Sequence, residues 1–187
     1  MSSKKEITKK KIMDTTLYLL DQSEDPDTVT VRRIAEAAGV GAGLINYYYQ
    51  SRDNLINEAI GMKMTSLAEV MEKSDGDMSD PKSYLKEMLI ALSDTAAQNR
   101  RLSSFSAEYN LLKGDYKTCL YLLPVLRRVY NNSRPEMDLR LIAYQIIVAM
   151  QSVYFGQESF LMFTGINIEI KQERDSLIYS IVDNLIK

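Results

Sequence analysis

The sequence contains no histidine and only one cysteine among its 187 residues. Without histidine the chain cannot build imidazole-based catalytic triads, imidazole proton shuttles or histidine-containing zinc sites. Cys119 cannot form a disulfide within the chain, and a thiol without histidine is more often a small core residue than a nucleophile. We therefore expect no catalytic site, no metal and no cofactor, and we expect a location in the reducing cytoplasm.

Long apolar runs and an excess of positive charge are also missing. The longest uncharged run, residues 141–157, spans 17 residues and contains Gln145 and Gln151, so it is short and polar for a membrane span. The lysine-rich start leads into an apolar stretch interrupted by Asp14, so we expect no signal peptide. With 23 basic and 25 acidic residues the formal net charge is -2, and any surface for a nucleic acid must be local.

Only four prolines and eight glycines interrupt the sequence, and most apolar residues recur at helical spacing. The sequence therefore predicts an all-α protein of about nine helices with a polar loop over residues 74–80. The predicted helices cover residues 4–22, 31–38, 41–48, 51–73, 81–98, 101–112, 116–131 with a kink at Pro124, 137–163 and 168–186.

Two of these predicted helices are short and are separated by Gly39. Thr30 is placed to cap the first of them, and Gly39 is placed to end it. Two short helices joined in this way have the spacing of a helix-turn-helix motif, in which the second helix enters the major groove of DNA.

The outward side of the second short helix has suitable chemistry for DNA. A helical projection turns Ile45 inward and leaves Gly43, Leu44, Asn46 and Tyr47 outward. Gly43 permits close approach of the sugar–phosphate chain, and Asn46 can pair with an adenine edge. Leu44 can touch a thymine methyl group, and Tyr47 can donate to a phosphate.

Further phosphate contacts require donors and cations near this helix. Thr30 offers a hydroxyl and the free N–H groups of a helix N-terminus, and Arg52 adds positive charge. The lysines at positions 4, 5, 9, 10 and 11 fit a solvated helix face or a DNA contact equally well. Residues 1–63 hold nine basic and nine acidic residues, which argues against DNA binding unless the cations form a stripe facing the duplex.

Residues 30–55, TVRRIAEAAGVGAGLINYYYQSRDNL, resemble the helix-turn-helix signature of the TetR family of transcriptional regulators, and the helix before them resembles the family's first helix. The resemblance covers residues 4 to about 60. It implies a regulator, typically a ligand-responsive repressor, that binds a near-palindromic double-stranded DNA operator as a homodimer. It implies phosphate contacts from Thr30, Tyr47, Tyr48 and Arg52 and groove positions for Ala42, Gly43, Leu44 and Asn46.

The domain prediction follows from the same resemblance. Residues 1–50 form the helix-turn-helix DNA-binding domain, and residues 51–187 form a ligand-binding and dimerisation domain entered through a connecting helix over about 51–73. The predicted helix at 137–163 is apolar nearly all round, which a partner subunit would cover, and the last predicted helix has an apolar stripe suited to a four-helix interface between two copies. The alternative, packing within one subunit, stays open because helical patterns do not distinguish the two. The residues predicted at the dimer interface are Met150, Val153, Tyr154, Gln157, Leu177, Ile178, Ile181 and Leu185.

Methionine and aromatic residues in the middle of the chain predict a pocket for a small-molecule effector of unknown identity. Such side chains line adaptable apolar pockets, although each is also explained as ordinary core. The predicted ligand-binding residues are Met88, Phe105, Tyr109, Tyr121 and Tyr144. Two other functions fit less well. The first is a small-molecule-binding protein with a vestigial helix-turn-helix. The second is an enzyme, which the sequence disfavours because it has no histidine, no spaced ligand cluster and no phosphate-binding glycine loop.

Overall fold

The computed structural model describes residues 4–23, 25–73 and 79–187. Within these ranges the chain forms ten α-helices and two 3-10 helices and no strand, which confirms the predicted all-α fold. The chain divides into two compact units, Met1–Lys63 and Met64–Lys187. The greater part of the predicted 74–80 loop lies outside the described residues, and the functional division at residue 50 stays a prediction.

The first unit contains a helix-turn-helix. Its helices are α1 (Lys4–Asp21), α2 (Val31–Ala38), α3 (Ala42–Tyr49) and the beginning of α4 (Arg52–Lys73), and a 3-10 helix, Pro26–Thr28, connects α1 to α2. Apolar residues at helical spacing turn one side of each helix inward, where burial removes them from water. The completely buried side chains include Ile12, Ile34, Ile45, Leu55 and Ile56.

Local capping sets the bounds of these short helices. The Thr30 Oγ1 accepts a hydrogen bond from the backbone N–H of Arg33 at 3.2 Å, and Gly39 adopts the left-handed conformation, with φ of 61°, that ends α2. After α3, Gln50 has a φ of 67° and the N–H of Ser51 donates to the carbonyl of Tyr49 at 2.7 Å. This γ-turn is a strained conformation for a residue with a side chain, and it starts α4 immediately after α3.

The second unit is a helical bundle. Its helices are α5 (Pro81–Gln98), α6 (Arg100–Lys113), α7 (Leu123–Val129), α8 (Glu136–Phe155), α9 (Gln157–Thr164) and α10 (Lys171–Leu185), with a 3-10 helix at Lys117–Leu122. Asp80 caps α5 by accepting from the N–H groups of Lys82 and Ser83, and Pro81 opens the helix. The apolar sides of α5, α7, α8 and α10 form the core, which includes Leu85, Leu89, Leu126, Leu139, Ile146 and Val182.

Two predicted helices of this unit are wrong as single elements. The predicted helix at 116–131 is a 3-10 helix followed by α7, because Pro124 has no N–H and is tolerated only in the first turn, where it lies. The predicted helix at 137–163 is divided into α8 and α9, which are bent by 102° at Gly156, a residue poorly suited to a helix interior. No single described helix is long and apolar enough to cross a membrane, and only this bent pair reaches that length and composition jointly.

Candidate nucleic-acid interface

Helix α3 separates a buried side from an exposed side as the projection indicated. Ile45 and Tyr49 are 0% and 1% exposed, whereas Leu44 is 37% exposed and Tyr47 is 69% exposed. Gly43 and Asn46 are exposed as well. We call the exposed set of Gly43, Leu44, Asn46 and Tyr47 the α3 edge. The protein's own core does not occupy this edge, so it is open to a partner.

A contact with α1 fixes the orientation of α3. The hydroxyl group of Tyr49 donates to the backbone carbonyl of Lys9 at 2.8 Å, which links the end of α3 to α1. Burial, followed by the nearby charges of Glu58 and Asp14, raises the pKa of Tyr49 to about 12. The shift extends the range over which the hydroxyl is protonated and can donate to the Lys9 carbonyl into alkaline pH.

The side-chain polar groups of the α3 edge make no hydrogen bonds to the described part of the chain. Within residues 4–23, 25–73 and 79–187, neither the Asn46 amide nor the Tyr47 hydroxyl makes a hydrogen bond to the chain. A Cβ added at Gly43 would meet no atom within 4 Å, so packing inside the protein does not require a glycine there. Free donors beside an unfilled glycine position suit an external ligand that approaches the backbone closely.

Three other predicted contact residues border the α3 edge or the start of α2. Thr30 is exposed and uses its oxygen as the α2 cap, which leaves the hydroxyl hydrogen free to donate. Ala42 is exposed at the first position of α3, where Gly41 supplies no side-chain cap, so the first-turn N–H groups lack that partner. Tyr48 is half-buried, and its ring packs edge-on against that of Tyr47 with 5.1 Å between centroids.

The guanidinium group of Arg52 is engaged by other groups of the protein. Its Nε donates to the carbonyl of Val29 at 3.0 Å, and its guanidinium also bonds the carbonyl of Pro26. It forms ion pairs with Asp53 at 2.6 Å and Asp27 at 3.4 Å, and its side chain is only 21% exposed. Arg52 therefore ties α4 to residues 26–29, with its charge offset by two carboxylates. Sequence reasoning missed this role because it depends on backbone carbonyls far along the chain.

The structure brings α1 lysines to the recognition region. The Lys5 Nζ lies 5.7 Å from the centroid of the Tyr47 ring, and the Lys9 Nζ lies 5.2 Å from that of Tyr49. The Lys11 Nζ would lie 3.7 Å from a Cβ placed at Gly39, in the turn between α2 and α3. From the sequence these lysines fit a solvated helix face and a DNA contact equally well. The tertiary structure shows that Lys5 and Lys9 lie close to the tyrosine rings of α3.

Six of the residues predicted at the dimer interface meet around one narrow cavity within the second unit. Val153 and Ile178 are buried in this unit, and Tyr154 donates to the carbonyl of Ser93 at 2.8 Å. Leu185 packs against the core, and Gln157 begins α9. The buried members need no second subunit to cover them, and the partly buried ones remain available to it. The cavity is lined by Met150, Val153, Tyr154, Leu177, Ile178 and Ile181, together with Ser93, Ile168 and Arg174.

The five residues predicted to bind an effector do not converge. Met88 lies in the core, Phe105 and Tyr109 stack on each other with centroids 6.5 Å apart, and Tyr121 is 48% exposed. Tyr144 lines an open cleft with a volume of about 180 Å³. The other residues of this cleft are Tyr116, Cys119, Leu120, Leu123 and Arg140.

Sequence reasoning did not select Tyr116, whose ring lies edge-on to that of Tyr144 at 5.1 Å. The two residues are distant in sequence, so no local pattern pairs them. Burial raises the pKa of the Cys119 thiol, which disfavours a reactive thiolate in the cleft. Across the described part of the chain, no group of three His, Cys, Asp or Glu residues is arranged to hold a metal ion.

Comparison with known proteins gives one match to a family model. Residues 12–59 match the model described as bacterial regulatory proteins, tetR family. The matched segment runs from the first buried residues of α1 into α4 and contains Thr30 and the whole α3 edge. It confirms the resemblance found in the sequence. A comparison with curated proteins gives no match.

Proposed function

We propose, from the chain's membership of the tetR family of bacterial regulatory proteins, that it is a ligand-responsive cytoplasmic repressor acting as a homodimer on a near-palindromic operator. DNA-binding transcriptional regulation of the helix-turn-helix type is the established part of this statement. The observation that carries DNA binding is the α3 edge, which is exposed and whose Asn46 amide and Tyr47 hydroxyl make no hydrogen bond among the described residues.

In the proposed complex, α3 lies in the major groove. The Asn46 amide pairs with the N6 and N7 atoms of an adenine, and Leu44 packs against a thymine methyl group. The side chain missing at Gly43 lets the helix approach the sugar–phosphate chain. Thr30 and Tyr47 donate to phosphates on either side, fixing the register without selecting a sequence. A good bidentate base contact discriminates against the wrong base by about 1–3 kcal/mol.

Two copies are required for a near-palindromic operator. A two-fold dimer places its recognition helices about 34 Å apart, one turn of DNA, so that both reach the same side of the duplex. Partly buried apolar residues on α8 and α10, including Met150, Ile181 and Leu185, support the use of these helices as the interface. Burial of such surface between subunits is the usual driving force for association.

The effector site is proposed at the cleft that contains Tyr116 and Tyr144. Helix α8 contributes Arg140 and Tyr144 to the cleft, and further along it contributes Met150 to the proposed dimer interface. A ligand in the cleft therefore acts on the helix that carries the interface. If it binds more tightly when the recognition helices are misaligned, it shifts the population towards dimers released from DNA.

Selection of bound sequences from a random duplex pool by the full chain tests the proposal. We expect enrichment of two inverted half-sites whose centres are about 10 base pairs apart, because each subunit contacts one half-site. Sedimentation velocity of the same sample should give the mass of a dimer. Absence of an enriched sequence, or enrichment of a single half-site by a monomer, contradicts the proposal.

One observation favours a second candidate, a small-molecule-binding protein with a vestigial helix-turn-helix. Residues 1–63 have no excess of basic residues, and Arg52 is neutralised within the protein. A salt titration separates the two functions. Operator binding loses affinity steeply as salt rises and discriminates against unrelated DNA, whereas a vestigial module shows neither property.

A further inference from the structure

Operator binding, on which this inference rests, requires cations within reach of the phosphates that flank α3. Arg52 is held by Asp27 and Asp53, and Arg32 is paired with Glu36 at 2.7 Å. These two arginines therefore carry little free positive charge towards DNA. Arg33 donates to the carbonyl of Thr28 at 3.5 Å and makes no ion pair among the described residues, so it keeps its charge, and any further cations next to the α3 edge come from outside α2.

Helix α1 supplies them from two of its lysines. At about 100° per residue, Lys5 and Lys9 lie on the side of α1 that carries the buried Ile12 and Thr16. Lys10 lies about 140° around the helix from Lys5, on the side turned away from the core. Lys5 and Lys9 therefore lie on the side of α1 from which their ammonium groups reach the tyrosine rings of α3, and Lys10 does not.

The contact between Lys5 and Tyr47 joins α1 to the α3 edge. The ammonium group lies over the face of a ring that is itself 69% exposed, and α1 makes no ion pair through Lys5 among the described residues. A cation–π contact at an exposed site contributes about 0.5–1 kcal/mol, enough to orient the side chain while its charge stays unneutralised. The hydroxyl of the same tyrosine also has no partner within the described chain.

We propose that Lys5 and Tyr47 form a single two-helix phosphate site, in which Tyr47 donates a hydrogen bond and Lys5 supplies the charge. One DNA phosphate then contacts α1 and α3 together. The aromatic contact positions the ammonium before DNA binds, so less side-chain entropy is lost on binding. The DNA interface consequently extends beyond the helix-turn-helix to the amino-terminal end of α1.

The test measures the affinity for the selected operator as a function of salt for Lys5→Gln and for the matched control Lys10→Gln. Both variants remove one positive charge from the same helix, and both positions are exposed. Each lost phosphate contact lowers the salt slope by about 0.9, or about 1.8 for a dimer. The loss of affinity between 50 and 200 mM salt should therefore be about 12-fold smaller for Lys5→Gln than for the wild type.

Two further variants identify the pair. Lys5→Arg, which keeps the charge and the aromatic contact, should restore the wild-type slope. Tyr47→Phe, which keeps the ring but removes the hydroxyl, should weaken binding at every salt concentration with little change of slope. Thermal unfolding of each variant establishes that the fold is intact.

The outcomes distinguish this inference from the proposed function. A lower slope for Lys5→Gln, with Lys10→Gln unchanged and Lys5→Arg restored, supports the phosphate site. An unchanged slope for Lys5→Gln, or an equal reduction for Lys10→Gln, overturns it while operator binding by the wild type stands. If the wild type itself shows no preferred operator, the proposed function fails first.

Discussion

The α3 edge of the first unit and the most exposed apolar side chains of the second unit differ in chemistry. The first presents the α3 edge, where small or hydrogen-bonding side chains surround Asn46 and Tyr47. The second exposes large apolar side chains, among them Leu112 at 73%, Met162 at 82% and Phe163 at 89%. Free donors suit a polyanion with base edges, whereas large apolar side chains suit burial by a protein or an apolar ligand. This difference is what the proposed function predicts if the first unit contacts DNA and the second unit binds the partner subunit or the effector.

Each unit contains an arginine that links separate segments of the chain, and the two arginines differ in burial. In the first, Arg52 bonds backbone carbonyls close to the surface. In the second, Arg174 is 5% exposed, donates to the carbonyl of Ile168 at 2.7 Å and pairs with Asp94 at 2.5 Å. A buried ion pair is sensitive to loss of one partner because the other charge is left uncompensated. Loss of the carboxylate partner should therefore lower the free energy of unfolding more for Arg174 than for Arg52.

The largest expected effect separates the two sides of α3. Ile45→Ala should lower the free energy of unfolding by about 2–5 kcal/mol, because it leaves a cavity at a completely buried position. Its exposed neighbour Leu44, replaced by alanine, should change stability by less than about 0.5 kcal/mol. Urea denaturation of the full chain measures both. Similar losses from the two variants would mean that the α3 edge is packed.

The next largest effect is expected at the ion pair between Arg174 and Asp94 in the second unit. Asp94→Asn should destabilise the protein by about 3 kcal/mol, since Arg174 then lacks its carboxylate partner. The control Asp175→Asn removes only an i,i+4 pair with Lys171 and should cost at most about 1 kcal/mol. Equal losses in denaturation experiments would show that the Arg174 pair adds nothing beyond a surface contact.

Asp94 also gives the second unit a defined acid sensitivity. Burial acts to raise the pKa of Asp94, but hydrogen bonds from Lys171 and Arg174 outweigh it and hold the pKa below its usual value of 3.8. A lowered pKa stabilises the fold above the unfolded-state pKa, and the stabilisation is lost as the pH falls through the folded-state pKa. As the pH falls from about 5 through the folded-state pKa of Asp94, the free energy of unfolding should therefore decrease more for the wild type than for Asp94→Asn. Parallel pH curves would rule out this linkage.

Gly43→Ala, unlike the substitutions above, is expected to stabilise the fold. Gly43→Ala should raise the free energy of unfolding by about 0.4–1 kcal/mol, because the added Cβ meets no atom and the unfolded chain loses freedom. Operator affinity should nevertheless fall at least about tenfold, or about 1.4 kcal/mol, if DNA approaches the backbone there. Gly61→Ala in α4 is the matched control, since its Cβ also meets nothing within 4 Å. It should stabilise similarly without weakening DNA binding, and the same result at Gly43 would exclude close approach.

Local signals explain what the sequence could predict. Thr30 and Gly39 set the ends of α2 through their own backbone neighbourhood, so the helix-turn-helix and the exposed side of α3 follow from residues close in sequence. The end of α8 at Gly156 does not follow from the sequence pattern, because the apolar spacing continues through this glycine. Local sequence patterns do not contain tertiary contacts. They therefore could not predict the hydrogen bonds of Arg52 to distant carbonyls or the contact between the rings of Tyr116 and Tyr144.

The most direct test of the central claim compares Asn46→Ala with Tyr47→Phe across a set of operators, each altered at one base pair. With the α3 edge in the major groove, Asn46→Ala should lose discrimination at a single position of each half-site, by about 1–3 kcal/mol. Tyr47→Phe should weaken binding to all operators by a similar factor and leave the base preferences intact. Identical profiles for the two variants, or profiles indistinguishable from the wild type, would contradict the placement of this edge against DNA.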